Sequence, residues 1–121
     1  MYSVDGFDKS SDVRLKTNIK NIENALEKVL TLNGVTFNWR AEEFPDKHFD
    51  SKSHIGVIAQ EVEKVFPQLV SNGDDGFKGV TYEDFAPILI EAVKELKSEK
   101  DELEAKVEKL EKMVEELMKK Q

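Results

Sequence analysis

Leucine returns at every seventh residue from Leu89, through Leu96, Leu103 and Leu110 to Leu117. Val93, Val107 and Val114 fill the second seam position, and Lys100 is its one polar interruption. Two apolar positions in seven, kept up over more than four heptads, specify a coiled coil. A lone helix this polar is marginal in water, so the seam requires partner helices. The competing reading is a single amphipathic helix folded onto its own core. That wants a wider stripe and a larger body than this chain supplies. Valine at one seam position with leucine at the other leans towards two strands. Ile90, Ala92, Met113 and Met118 flank the seam and widen it at both ends, which suits three. The pattern alone leaves dimer and trimer open.

The rest of the chain must be small. With 121 residues there is room for one domain and a modest core. A charged share of 36% beside 39% hydrophobic fits a long solvated helix next to a small globular part. The net charge of -7 repels phosphate backbones, and the lysines are interleaved with glutamates, so no nucleic-acid partner is expected. The absence of cysteine excludes disulfides, thiol catalysis and Cys-type zinc sites. There is no early apolar run of the signal-peptide kind and no apolar stretch of about 18 residues, so neither export nor a membrane partner is expected and the chain reads as soluble. No glycine-rich phosphate loop ending in Lys-Ser or Lys-Thr occurs, and no cofactor is expected.

Residues 1–11 are polar and poor in helix formers, and read as a linker or the end of something longer. In residues 12–20, Val13 and Leu15 alternate with Asp12, Arg14 and Lys16, which predicts a short strand. Asn21 is a candidate helix cap, followed by Ile22, Ala25, Leu26, Val29 and Leu30 at helical spacing. Asn33-Gly34 marks a turn, and Val35, Phe37 and Trp39 alternate with Thr36, Asn38 and Arg40 as a half-buried strand. Phe37 and Trp39 read as core. The charged stretch 41–53 reads as a loop. Ile58, Val62, Val65 and Phe66 predict a helix that Pro67 ends. Residues 71–76 read as a loop and FKGVTY as a second strand. Thr81 with Asp84 resembles a capping box, and Pro87 predicts a kink or a ragged start to the long helix.

Ser11 and Lys16 form the sharpest candidate for chemistry. A serine hydroxyl is a weak nucleophile and needs a base, and a lysine can serve only if burial or a neighbouring cation favours its neutral form. Arg14 is such a cation; Asp12 opposes it unless the two pair with each other. Ser10 is an adjacent hydroxyl that could be mistaken for the nucleophile. Five is an odd spacing, so the two side chains point to opposite faces of a flat strand and also miss each other in a helix. They meet only if the chain bends between them or if the lysine comes from another subunit, and either requirement would delay any chemistry of the pair until higher structure exists. His48 and His54, six apart, lack a convincing third ligand, so no metal site is expected. The carboxylates of residues 91–116 read as a solvated helix face.

Taken together, SDVRLKTNI (11–19), GVTFNW (34–39), HIGVIAQEVEKVFPQLV (54–70), VTYEDF (80–85) and LIEAVKEL (89–96) resemble the peptidase S74 family. This is the self-cleaving intramolecular chaperone domain of endosialidases, phage tail spikes and neck appendages, with a related module in myelin regulatory factor. The resemblance implies a homotrimer that ends in a helical bundle, templates trimerisation of an upstream stalk, and is released by cleavage after a serine, with a lysine completing a dyad. Carried over by position, the serine is Ser11, the lysine Lys16 and the cut lies between Ser11 and Asp12. The expectation is an α+β fold. Residues 1–11 are the end of the stalk, 12–87 a globular body, and 88–121 the helix of a parallel homotrimeric coiled coil. The expected setting is the host cytoplasm during virion assembly, with the chaperone fragment released. Two other functions compete: a trimerisation module that never cleaves, and an adaptor whose acidic helix docks on an unrelated partner.

Overall fold

The computed structural model describes residues 9–120. Most of the segment read as a linker, residues 1–8, lies outside them. The elements run from a 3-10 turn at Val13–Leu15 through α1 (Ala25–Val29), β1 (Val35–Asn38), β2 (Ser53–Gly56), α2 (Ala59–Val65), β3 (Val70–Asn72) and β4 (Lys78–Val80) to α3 (Phe85–Lys119), with short 3-10 turns at Pro45–Lys47, Pro67–Leu69 and Tyr82–Asp84. This is the expected α+β plan, a small body followed by one long helix.

The strands form two separate antiparallel pairs, β1 with β2 and β3 with β4. A two-stranded ribbon is marginal alone, so helices must supply the core. They do: Ala25 of α1, Val62 of α2, Phe66, Leu69, and Ile88 and Ala92 of α3 form the buried cluster. Ile22, Leu26, Val65, Val80 and Phe85 pack around it. Pro67 ends α2 as expected, and Phe66 leaves the helix with an extended φ of -136°. At Gly56 a Cβ would stand 2.6 Å from the Tyr82 hydroxyl. That hydroxyl accepts the Val57 N–H at 3.1 Å, so the backbone approach ties β2 to the turn before α3.

Several local expectations are corrected. Residues 12–20 are not a strand, because the Asp12 side chain takes the Arg14 N–H and turns the chain into a 3-10 helix. Asn18, with a φ of 53°, breaks extension again. The first helix does not start at Asn21: Asn24 is left-handed, at φ 56°, and α1 begins only at Ala25. Part of each expected loop is strand. Ser53 opens β2, and Ser71 and Asn72 pair with Gly79 and Lys78 across a turn in which Gly76 takes a φ of 86°. Thr81 makes no side-chain cap, so the capping box does not form. Pro87 brings neither a kink nor a break: it is the third residue of α3, in the first turn where a missing N–H is no loss, and a separate 3-10 turn, Tyr82–Asp84, precedes the helix. Trp39 is not core. It is 42% exposed and stacks on Phe49 at 4.4 Å, because it lies one residue past the end of β1 and of its pairing with β2.

At 35 residues α3 is about 52 Å long. Ile88, Ala92 and Glu95 share the face that packs on the body. Leu89, Val93 and Leu96 lie about 100° round the helix from it. The leucine seam is therefore left uncovered within one chain, with Leu103 at 62% and Leu110 at 59% exposure. Among the described residues, no helix is long and apolar enough to cross a membrane.

Candidate functional site

The 3-10 turn brings Ser11 and Lys16 together. Asp12 sits at its N-cap and accepts from the Arg14 backbone N–H at 2.9 Å, while Leu15 N–H bonds to Asp12 C=O at 3.0 Å and Lys16 N–H to Val13 C=O at 3.2 Å. That curl reverses the odd spacing, and Lys16 Nζ donates to Ser11 Oγ at 2.7 Å within one chain. The bend, not a second subunit, solves the problem the spacing poses. A neutral lysine amine would accept the hydroxyl proton along the same line.

The charges beside the pair are matched to each other. Arg14 grips Asp12 with two side-chain bonds, Nε to Oδ1 at 3.0 Å and Nη2 to Oδ2 at 2.8 Å. The Arg14 guanidinium holds the Asp12 carboxyl below the usual carboxylate range, with help from the Arg14 backbone N–H, and Asp12 in turn raises Arg14. The carboxylate that would have opposed a neutral Lys16 is thus engaged elsewhere. Ser11 and Lys16 are both exposed, and so are their apolar neighbours Val13, at 70%, and Leu15, at 72%.

Long-range polar contacts fasten this segment to the base of α3. Asn21 Nδ2 donates to Glu91 Oε1 at 2.9 Å. The Lys94 ammonium first, and the Asn21 amide second, hold the Glu91 carboxyl below its ordinary range. Glu95 caps α1 from outside: its carboxylate accepts the Ala25 N–H at 3.2 Å and the Leu26 N–H at 2.7 Å. It does what the left-handed Asn24 does not. Glu95→Ala should therefore lower stability by about 1–2 kcal/mol, as loss of an N-cap does, measured as a drop in urea midpoint at unchanged slope. Sequence reading missed Glu91 and Glu95, which it placed on a solvated face. Only their mates seventy residues away distinguish them from the other glutamates of that helix.

The remaining candidates lie apart. His54 Nε2 meets Asp50 Oδ1 at 2.8 Å and stacks on Phe37, while His48 ends the 3-10 turn at Pro45–Lys47. Among the described residues no group of three or more His, Asp or Glu side chains is placed to hold a metal ion. An open cleft of about 670 Å³, lined by Trp39, Phe44, Phe49, Phe77, Lys47 and Lys78 among others, does not include Ser11 or Lys16.

A small α+β body thus carries a serine–lysine hydrogen bond on its N-terminal segment and an uncovered leucine stripe on its long helix. Its kinship follows from comparison: residues 11–71 match the family model for the peptidase S74 chaperone of endosialidase, and the chain belongs to that family. It is 42% identical over 101 residues to the long tail fiber protein Gp37 of Enterobacteria phage K3, a match covering 80% of this chain and 8% of that protein. The Gp37 of Enterobacteria phage M1 is 39% identical over 97 residues, covering 77% of this chain and 38% of its own length. The Gp37 of Salmonella phage S16 is 39% identical over 71 residues, 59% of this chain and 10% of the relative. The chain therefore spans well under half of these curated relatives.

Proposed function

We propose that this chain is the C-terminal intramolecular chaperone of a phage tail fibre. Three copies would associate in parallel through α3, template the upstream fibre during virion assembly in the host cytoplasm, and be released by self-cleavage between Ser11 and Asp12. The observation that carries the reading is the 2.7 Å bond from Lys16 to Ser11, held by a turn that lies inside the family match. The uncovered seam supports trimerisation, since an exposed apolar stripe of this length is costly without partner helices.

The chemistry consumes one water. Lys16 Nζ takes the Ser11 hydroxyl proton, that Ser11 Oγ forms a C–O bond to the scissile Ser11 carbonyl of a neighbouring chain, the C–N bond there breaks, and the amine of that chain's Asp12 leaves with the proton. Water then hydrolyses the ester and leaves a carboxylate on Ser11. Exposure of the pair in one chain gives assembly its part: neighbouring chains that cover Val13 and Leu15 would exclude water and favour a neutral amine.

The test is the mass and N-terminal sequence of fragments from a precursor beginning well upstream. The expected fragment starts at Asp12. One that starts at Ser11 would place the cut a residue earlier, the route in which Ser11 Oγ attacks the Ser10 carbonyl through a five-membered ring. Attack on its own carbonyl closes a four-membered ring, so an Asp12 start requires a hydroxyl from another chain or a water in between. An intact precursor that is nonetheless trimeric would leave only a passive trimerisation module.

Lys100 offers a check on the seam. In one chain it pairs with Glu104 at 3.0 Å on the surface. In a trimer it occupies a core position, where a polar residue costs stability and fixes register. Lys100→Leu should raise the melting temperature, read by circular dichroism, and broaden the distribution of oligomers in sedimentation. A fall in melting temperature would contradict that placement.

A further inference from the structure

The chain just before the cut is also held, and among its contacts is one to an acidic residue. Lys9 Nζ meets Asp84 Oδ1 at 2.9 Å, across seventy-five residues of sequence, with the two side chains 41% and 39% exposed. Asp84 is a fixed point. It ends the 3-10 turn Tyr82–Asp84, its N–H bonds back to Thr81 C=O at 3.2 Å, and α3 begins at the next residue. Tyr82 in the same turn is held through its hydroxyl by the Val57 N–H. On the other side of the Ser11–Asp12 bond, Asp12 is locked by Arg14 into the capped turn that presents Lys16. The bond thus runs between two clamps, and only the downstream one belongs to the serine–lysine turn itself.

We propose that Asp84 is the upstream subsite of the self-cleavage: a positioning residue that recognises the cationic side chain third before the cut, Lys9, and pins the acyl half of the scissile bond to the base of α3. This rests on the self-cleavage reading above. An exposed ion pair adds little to folding, which is why the contact reads as positioning rather than scaffolding. Its effect falls on the reacting geometry, where a displacement of an ångström is felt strongly in rate. The subsite also gives the processed segment a chemical specificity. A basic residue belongs at position 9, and an acidic one is repelled. After the cut, the same pair holds the upstream product against the body until dissociation.

The experiment uses the full precursor and follows first-order fragment release, with Ser11→Ala as the uncut control. Lys9→Glu and Asp84→Lys should each slow release about tenfold, with trimer content and melting temperature unchanged. Exchanging the two charges, Lys9→Glu with Asp84→Lys, should bring the rate back to within about threefold of wild type, which a merely structural role for Asp84 would not do. Raising salt should slow the wild type and leave Lys9→Ala unaffected, because an exposed pair is screened. A Lys9→Glu precursor that is cut at the wild-type rate, or an exchanged pair as slow as either single change, overturns the subsite while leaving self-cleavage intact. A wild-type precursor that is never cut overturns both.

Discussion

Ser11→Ala leaves the precursor in one piece. If Ser11 supplies the attacking oxygen and Lys16 takes its proton, either alanine substitution lowers the first-order rate about a thousandfold or more, and the double variant is no slower than the single ones, because the two groups act as a unit. Ser10→Ala changes little, since the 2.7 Å bond from Lys16 goes to Ser11. Lys16→Arg is the sharper variant: a guanidinium can keep the charge and the hydrogen bond but does not give up its proton in a protein, so it should fail as completely as alanine. For the wild type, release should slow as pH falls, because an ammonium cannot accept the serine proton. Asp12 stays ionised further into acid than an ordinary carboxylate, its pKa being lowered by Arg14, so the capped turn should outlast the loss of rate. Each variant must still assemble; gel mass reads the cut and sedimentation the assembly. Cleavage of Ser11→Ala at the wild-type rate would remove Ser11 from the chemistry.

Leu103→Gln with Leu110→Gln gives a monomer. Glutamine keeps helix propensity close to that of leucine, so α3 can stay helical while its seam is broken. Burying one leucine is worth about 2 kcal/mol, which over two positions in three chains makes a loss on the order of 12 kcal/mol. That is far more than the margin between assembled and dispersed chains at micromolar concentration. A double variant that still sediments as a trimer would mean that the body, not the helix, drives assembly. The same protein tests whether the cut waits for assembly. The expectation is that it cleaves slowly, because Val13 and Leu15 beside the pair would remain uncovered. Should it cleave at the wild-type rate, one chain suffices, consistent with a serine–lysine contact that already forms within a single chain.

What could be read from the sequence was periodic or local. The heptad from Leu89 to Leu117 defined the long helix, because a seven-residue repeat has one simple structural solution. The alternation around Phe37 placed β1, and Pro67 stopped α2, because each acts on its own few residues. The pair Ser11 and Lys16 could be named from the sequence, but their meeting could not. A period-two pattern in residues 12–16 concealed an aspartate whose side chain competes for its neighbour's N–H, and the competition turned a strand into a 3-10 curl. The tertiary structure alone decided the rest. Asn24 left its helix uncapped until Glu95 arrived from α3, Trp39 looked like core until it was seen to lie just past the end of β1 against Phe49, and Lys9 and Asp84 had no reason to be paired until the fold closed. These contacts join residues up to seventy-five apart, and no local preference encodes them. They exist because six side chains from separate elements bury one another in a single cluster, and that packing sets α3 against α1 and so near the segment before it.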